Sequence, residues 1–167
     1  MTYNEFKSKY LHKIVDYDKQ YGGQCWDLAQ QYVTECLELP EYILGGSGIV
    51  SNLLVDPKLS IMKEYFDVIP LDKKKTGDIE VFDYGHIAIM DHWDDINKVN
   101  YYLSQNTGTA ASPKGGTEVI PLYDTPKCMA FRKKHINSDS EINNLKEENK
   151  VLKEKIEKIE KIKNICG

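Results

Sequence analysis

Gly77-Asp78-Ile79-Glu80-Val81-Phe82-Asp83-Tyr84-Gly85-His86-Ile87-Ala88-Ile89-Met90-Asp91 contains two short runs, 78–83 and 86–91, rich in Ile, Val and Phe and separated by turn-forming residues. Runs of this kind read as strands. Similar stretches follow at 99–105, 117–122 and 127–132, which predicts a small antiparallel sheet in the second half of the domain. Upstream the apolar period lengthens. Phe6, Tyr10, Leu11 and Ile14 recur at helical spacing and predict a helix over 3–14, followed by a polar loop at 16–23. Leu28, Tyr32, Val33, Cys36 and Leu37 give a second helix over 24–39, which Pro40 closes. Residues 41–58 show no sustained period and read as loop, and 59–66 fits one short helix. Helices first and strands second imply an α+β domain with N-terminal helices packed on one side of the sheet.

At 167 residues the chain holds one domain and a short appendage. The domain is assigned to 1–134, a linker to 135–140 and a coiled-coil helix to 141–167. In that tail Ile142, Asn149, Ile156 and Lys163 occupy one heptad position, and Leu145, Leu152, Ile159 and Cys166 the other. A homodimer through the C-terminal helix is expected, with a solvated helical linker as the alternative. The net charge of −4 and the lack of any Lys/Arg run longer than Lys73-Lys74-Lys75, read as a solvated turn, argue against nucleic-acid binding. No apolar stretch predicts a membrane span, and the first residues lack the basic-then-apolar layout of a secretory leader, so synthesis without export by that route is expected.

Four cysteines are scattered, with no C-x-x-C pair. A free cysteine is commonly inert core, and Cys36, on the helical stripe, and Cys128, in a strand run, fit that use. Cys25 differs because it opens a predicted helix, where the macrodipole favours thiolate. A nucleophilic thiol needs a base. His86, placed by Gly85 at the head of an apolar strand, suits the role better than His12, His92 or His135. The base needs an orienting group, and period-two alternation puts Tyr102, Ser104 and Asn106 on one strand face. Asn106 is the candidate there, although asparagine at a strand end is also a common turn residue.

Gly23-Gln24-Cys25-Trp26-Asp27-Leu28, Gly77-Asp78-Ile79, Gly85-His86-Ile87-Ala88-Ile89 and Ser104-Gln105-Asn106, in that order, resemble the CHAP family of cysteine, histidine-dependent amidohydrolases/peptidases. The resemblance covers roughly residues 5–133. It implies a papain-like α+β fold and hydrolysis of peptidoglycan amides, as in bacteriophage endolysins reaching the cell wall after holin-type release. It also implies Cys25 as nucleophile, His86 as base and then acid, and Asn106 as orienting group. Many members carry an acidic residue two places before that asparagine, where this chain has Ser104. Oxyanion donors are expected from the Cys25 backbone N–H and from Gln24, and Trp26, Tyr42 and Tyr123 are aromatic candidates for substrate stacking.

Asp16, Asp18, Gln20, Gly22 and Asp27 stand at positions 1, 3, 5, 7 and 12 of a twelve-residue stretch, the ligand spacing of an EF-hand loop. Tyr21 stands where that loop wants Gly, so the spacing fits a solvated turn as well. Resemblance to calcium-binding members of the family favours a structural calcium ion. Two further readings stay open: a non-catalytic module that assembles through the coiled coil, and an intracellular peptidase acting on proteins.

Overall fold

A computed structural model describes residues 1–46, 49–107, 116–135 and 150. Met1–Lys134 is one compact unit and His135–Gly167 a second. The heptad positions 142–166 lie outside the described residues.

The first unit is α+β. Helices α1 (Tyr3–Tyr10), α2 (Cys25–Gln31) and α3 (Lys58–Tyr65) precede a sheet of β1 (Phe66–Ile69), β2 (Ile79–Phe82), β3 (His86–Asp94), β4 (Val99–Ser104), β5 (Glu118–Leu122) and β6 (Met129–Lys133). The spatial order is β1-β6-β2-β3-β4-β5, every pair antiparallel. The registers Phe82↔His86 and Ile79↔Ile89 join the two runs of the 77–91 stretch.

Strand alternation divides the core between two sheet faces. Ile79, Val81, Ile87, Ile89, Leu103 and Phe131 pack with the helical residues Phe6, Leu28 and Val33, and Phe82, Ala88, Met90, Tyr102 and Cys128 form a smaller cluster. Each fully buried Leu, Ile or Phe contributes about 1.5–3 kcal/mol, so the larger cluster fixes α2 on β3.

α1 begins with a capping box: Glu5 N–H donates to Thr2 Oγ1 and Thr2 N–H to Glu5 Oε2. It stops at Tyr10, four residues short of the sequence expectation. His12 adopts a left-handed φ of 64° and its N–H donates to the Thr117 carbonyl at 2.7 Å, so pairing beside β5 captures the chain. The second predicted helix divides into α2 and a π-helical turn, Tyr32–Cys36. The 41–58 loop contains two short 3₁₀ turns, Glu41–Leu44 and Val50–Leu54. β1 was not anticipated by the sequence pattern. Among the described residues no helix is long and apolar enough to cross a membrane.

Candidate active site

Cys25 is the first residue of α2 and His86 the first of β3, and α2 packs on β3. They share the lining of one open pocket of about 450 Å³ with Gln24, Trp26, Gly85 and Asn106; Tyr21, Ile49 and Val50 complete its wall. Gly85 turns the chain into β3 with a φ of 90°, which a side chain would disfavour.

Both side chains are buried, Cys25 to 8% and His86 to 4% exposure. Burial pushes the Cys25 thiol up, opposed first by the backbone N–H of Ile87. Burial also pushes the His86 imidazole down to about 4. At neutral pH the imidazole is therefore unprotonated, and these directions favour a neutral thiol–imidazole pair over an ion pair.

The hydrogen bond to the imidazole comes from a residue other than the one expected. His86 Nε2 meets Ser104 Oγ at 2.8 Å, with Ser104 fully buried, whereas Asn106 Nδ2 donates to Gln24 Oε1 at 2.5 Å. Asn106 lines the pocket but does not orient His86. The turn explains this: Asn106 has left β4 with a left-handed φ of 58°, breaking the alternation that would have aligned it with Ser104. Nδ1 of His86 has no hydrogen-bond partner among the described residues, which leaves it available as a base.

Gln24 does not fit the oxyanion role assigned to it. Its Nε2 is committed to the carbonyls of Tyr21 at 3.1 Å and Gly22 at 3.5 Å. Gln105 is a positioning residue that the sequence did not single out. Fully buried, it accepts from Val15 N–H at 2.8 Å and donates to the carbonyls of Val15 at 2.8 Å and Gln24 at 3.0 Å. Its amide thus ties the residue preceding Cys25 to the end of β4. A Cβ at Gly23 would sit 2.6 Å from Gln105 Nε2 and 2.8 Å from the Val15 carbonyl, so the clamp requires glycine there.

Of the aromatic candidates, Trp26 is buried and packs edge-on against Tyr17, while Tyr42 and Tyr123 are exposed away from the pocket lining. The ring stacked on the His86 imidazole is Tyr84, at 6.1 Å and 4°.

Carboxylate oxygens of Asp16, Asp18 and Asp27 lie within 4.8 Å of one another. Asp27 Oδ1 accepts from Tyr17 N–H at 2.9 Å and Asp18 N–H at 3.4 Å, and Oδ2 from Gln24 N–H at 2.7 Å. Asp27 therefore staples the loop to the first turn of α2 by hydrogen bonds. Asp16 Oδ1 is buried without a hydrogen-bond partner, as an oxygen awaiting a cation would be. The three carboxylates fit a hard divalent ion. Gln20 is exposed, its N–H bonded to Asp18 Oδ1, and the Gly22 carbonyl faces Gln24 Nε2; neither is seen to join the acidic cluster.

Together these features define an α+β domain in which a buried cysteine and a buried histidine line one open pocket. Over 141 residues the chain is 28% identical to a D-alanyl-L-alanine endopeptidase of Streptococcus phage B30, a match covering 80% of this chain and 30% of that protein. It thus spans less than a third of that relative's length. No family model and no solved structure matches.

Proposed function

We propose that this chain is a CHAP-like, phage-type peptidoglycan hydrolase of papain-like architecture, an amidase or endopeptidase in which Cys25 is the nucleophile and His86 the base. The observation that carries the reading is the shared pocket, with Cys25 at a helix start and His86 held through Nε2 so that Nδ1 is free. The substrate class comes from similarity to the phage endopeptidase, whose name makes a D-alanyl–L-alanine bond the first to examine.

Sγ of Cys25 attacks the amide carbonyl carbon as its proton passes to His86 Nδ1. The Cys25 backbone N–H, at the start of α2, receives the developing oxyanion. The C–N bond then breaks and the amine leaves with the proton from Nδ1. A water gives a proton back to Nδ1 while its oxygen attacks the thioester, the C–S bond breaks, and the thiolate recovers that proton. Throughout, Nε2–H donates to Ser104 Oγ, which replaces the carboxylate or amide that orients the base in other thiol hydrolases.

The same proposal includes a calcium ion held by Asp16, Asp18 and Asp27, without the Gln20 and Gly22 oxygens that the sequence spacing had added. Bound there, calcium would neutralise three carboxylates beside the nucleophile's helix. It also includes homodimerisation through 141–167 and action at the cell wall after release from the host cytoplasm. Purified cell walls and casein distinguish the activities: the wild type clears walls and leaves casein intact, and Cys25→Ala clears no walls while keeping its fold. Casein cleavage without wall clearing, or a lytic Cys25→Ala protein, would defeat the proposal. Mass spectrometry of the released fragments identifies the bond.

A further inference from the structure

A second pocket lies away from Cys25 and is the larger, at about 630 Å³. It is built from separate parts of the chain: Asp72 and Lys74 before β2, Met90 and Trp93 on β3, Asn100 on β4, and Asp124 beyond β5. Its base is a charged network. Lys74, expected to be solvated, has a side chain only 2% exposed, and its Nζ donates to Glu80 Oε2 at 2.7 Å, Tyr102 Oη at 2.8 Å and Asp124 Oδ1 at 2.5 Å. Tyr102 Oη donates to Glu80 Oε2 at 2.5 Å, and Glu80 Oε1 is buried without a hydrogen-bond partner. Burying such a group of charges costs several kcal/mol per ion before pairing, and apolar side chains would serve stability as well.

The lining selects a ligand. All three Lys74 donors are engaged, so among the described lining residues no free cation is present to hold a phosphate or a carboxylate, and the rim carboxylates are themselves paired, Asp124 with Lys74 and Asp72 with Lys73 Nζ at 3.5 Å. Trp93 is 47% exposed, and its indole N–H is pinned to Asp95 Oδ1 at 2.8 Å, fixing a flat apolar surface in the pocket wall. Asn100 pairs with Trp93 across β3 and β4, adding beside the ring an amide whose Nδ2 makes a long hydrogen bond to Asp124 Oδ1 at 3.4 Å and whose Oδ1 faces no described donor. A rigid aromatic face flanked by carboxylate and amide groups suits a neutral molecule with many hydroxyls and a flat C–H face.

We propose that this pocket binds the glycan strand of the wall polymer through an N-acetylhexosamine unit stacked on Trp93, its hydroxyls donating to Asp124 and its amide meeting Asn100. The choice of glycan rests on the wall-hydrolase reading; the selection for a neutral, hydroxyl-rich ligand rests on the pocket alone. The site would hold the polymer on a surface separate from the one that cuts it.

The test uses the full wild-type chain and a trimer of β-1,4-linked N-acetylglucosamine, which contains no peptide bond for the catalytic pocket. The chain has two tryptophans, and Trp26 is buried. Saturable binding should shift Trp93 fluorescence and the Trp93 indole signal in NMR spectra while leaving the Trp26 indole in place. Trp93→Ala should abolish binding, and Asn100→Ala should weaken it roughly tenfold, the loss of about one hydrogen bond. Circular dichroism confirms that both variants are folded. Absence of binding at millimolar trimer, undiminished binding by Trp93→Ala, or a shift confined to Trp26 would overturn the proposal. Failure of the wild type to clear walls would instead refute the hydrolase reading, whatever the trimer does.

Discussion

Acidification should destabilise the domain through His86 in particular. The imidazole is held neutral by burial, its pKa moved from the usual 6.5 to about 4. Below pH 6.5 the unfolded chain takes up a proton that the folded one refuses until about pH 4. The stability that His86 contributes is therefore complete above 6.5 and is lost as pH falls toward 4. Each tenfold change in proton affinity is worth about 1.4 kcal/mol, so the loss between pH 7 and pH 4 comes to about 3 kcal/mol from this group. Urea unfolding at pH 7, 6, 5 and 4 measures it, with His86→Gln as reference because other groups titrate alike in both proteins. The two stability curves should converge by about 3 kcal/mol as pH falls. Parallel curves would show that the imidazole is not buried in its neutral form, and the free-base mechanism would fall with that finding.

Ser104→Ala should keep the fold and lower kcat by roughly 10- to 100-fold, the cost of an unoriented imidazole losing about 1–3 kcal/mol of hydrogen bonding; Ser104→Asp should restore activity and raise the His86 pKa measured by NMR. Calcium a hundredfold above its dissociation constant should stabilise the domain by about 2.7 kcal/mol, several degrees in Tm, with magnesium less effective. Asp16→Asn with Asp18→Asn should remove that response, and an unchanged melt in excess chelator would show a polar turn instead. Gln105→Ala should reduce kcat more than it raises KM, because it releases the residue preceding the nucleophile without touching substrate; an unchanged rate would show that the clamp is dispensable. Light scattering should give a dimer for the full chain and a monomer for a chain ending at Asn137, and equal monomer masses would exclude the coiled coil.

The sheet was legible because its strands carry local signals: β2 through β6 each fall within or beside a run of β-branched and aromatic residues bounded by turn formers. β1 escaped because Phe66-Asp67-Val68-Ile69 continues directly from α3, and its pairing with β6 supplies the reason for the switch from helix to strand. The end of α1 was misjudged for a related reason, since a partner more than a hundred residues away, Thr117, stops it. Cys25 and His86 could be found from sequence as element-initial residues. The hydrogen bond of Ser104 could not, because it depends on where β4 gives way to the turn at Asn106. Lys74 was hidden among three consecutive lysines, of which only one meets two carboxylates and a tyrosine.

The last strand of the sheet lies between β1 and β2. Until Met129–Lys133 is in place, a growing chain holds two unfinished pieces: α3 with β1, and the β2–β5 ribbon that carries His86. Both present open strand edges with unpaired backbone groups, and such edges recruit other chains. Truncation before Met129 should therefore yield insoluble protein rather than a smaller folded domain. During synthesis the domain can close only after nearly all of its own residues have been made, which couples its appearance as a folded unit to completion of the domain.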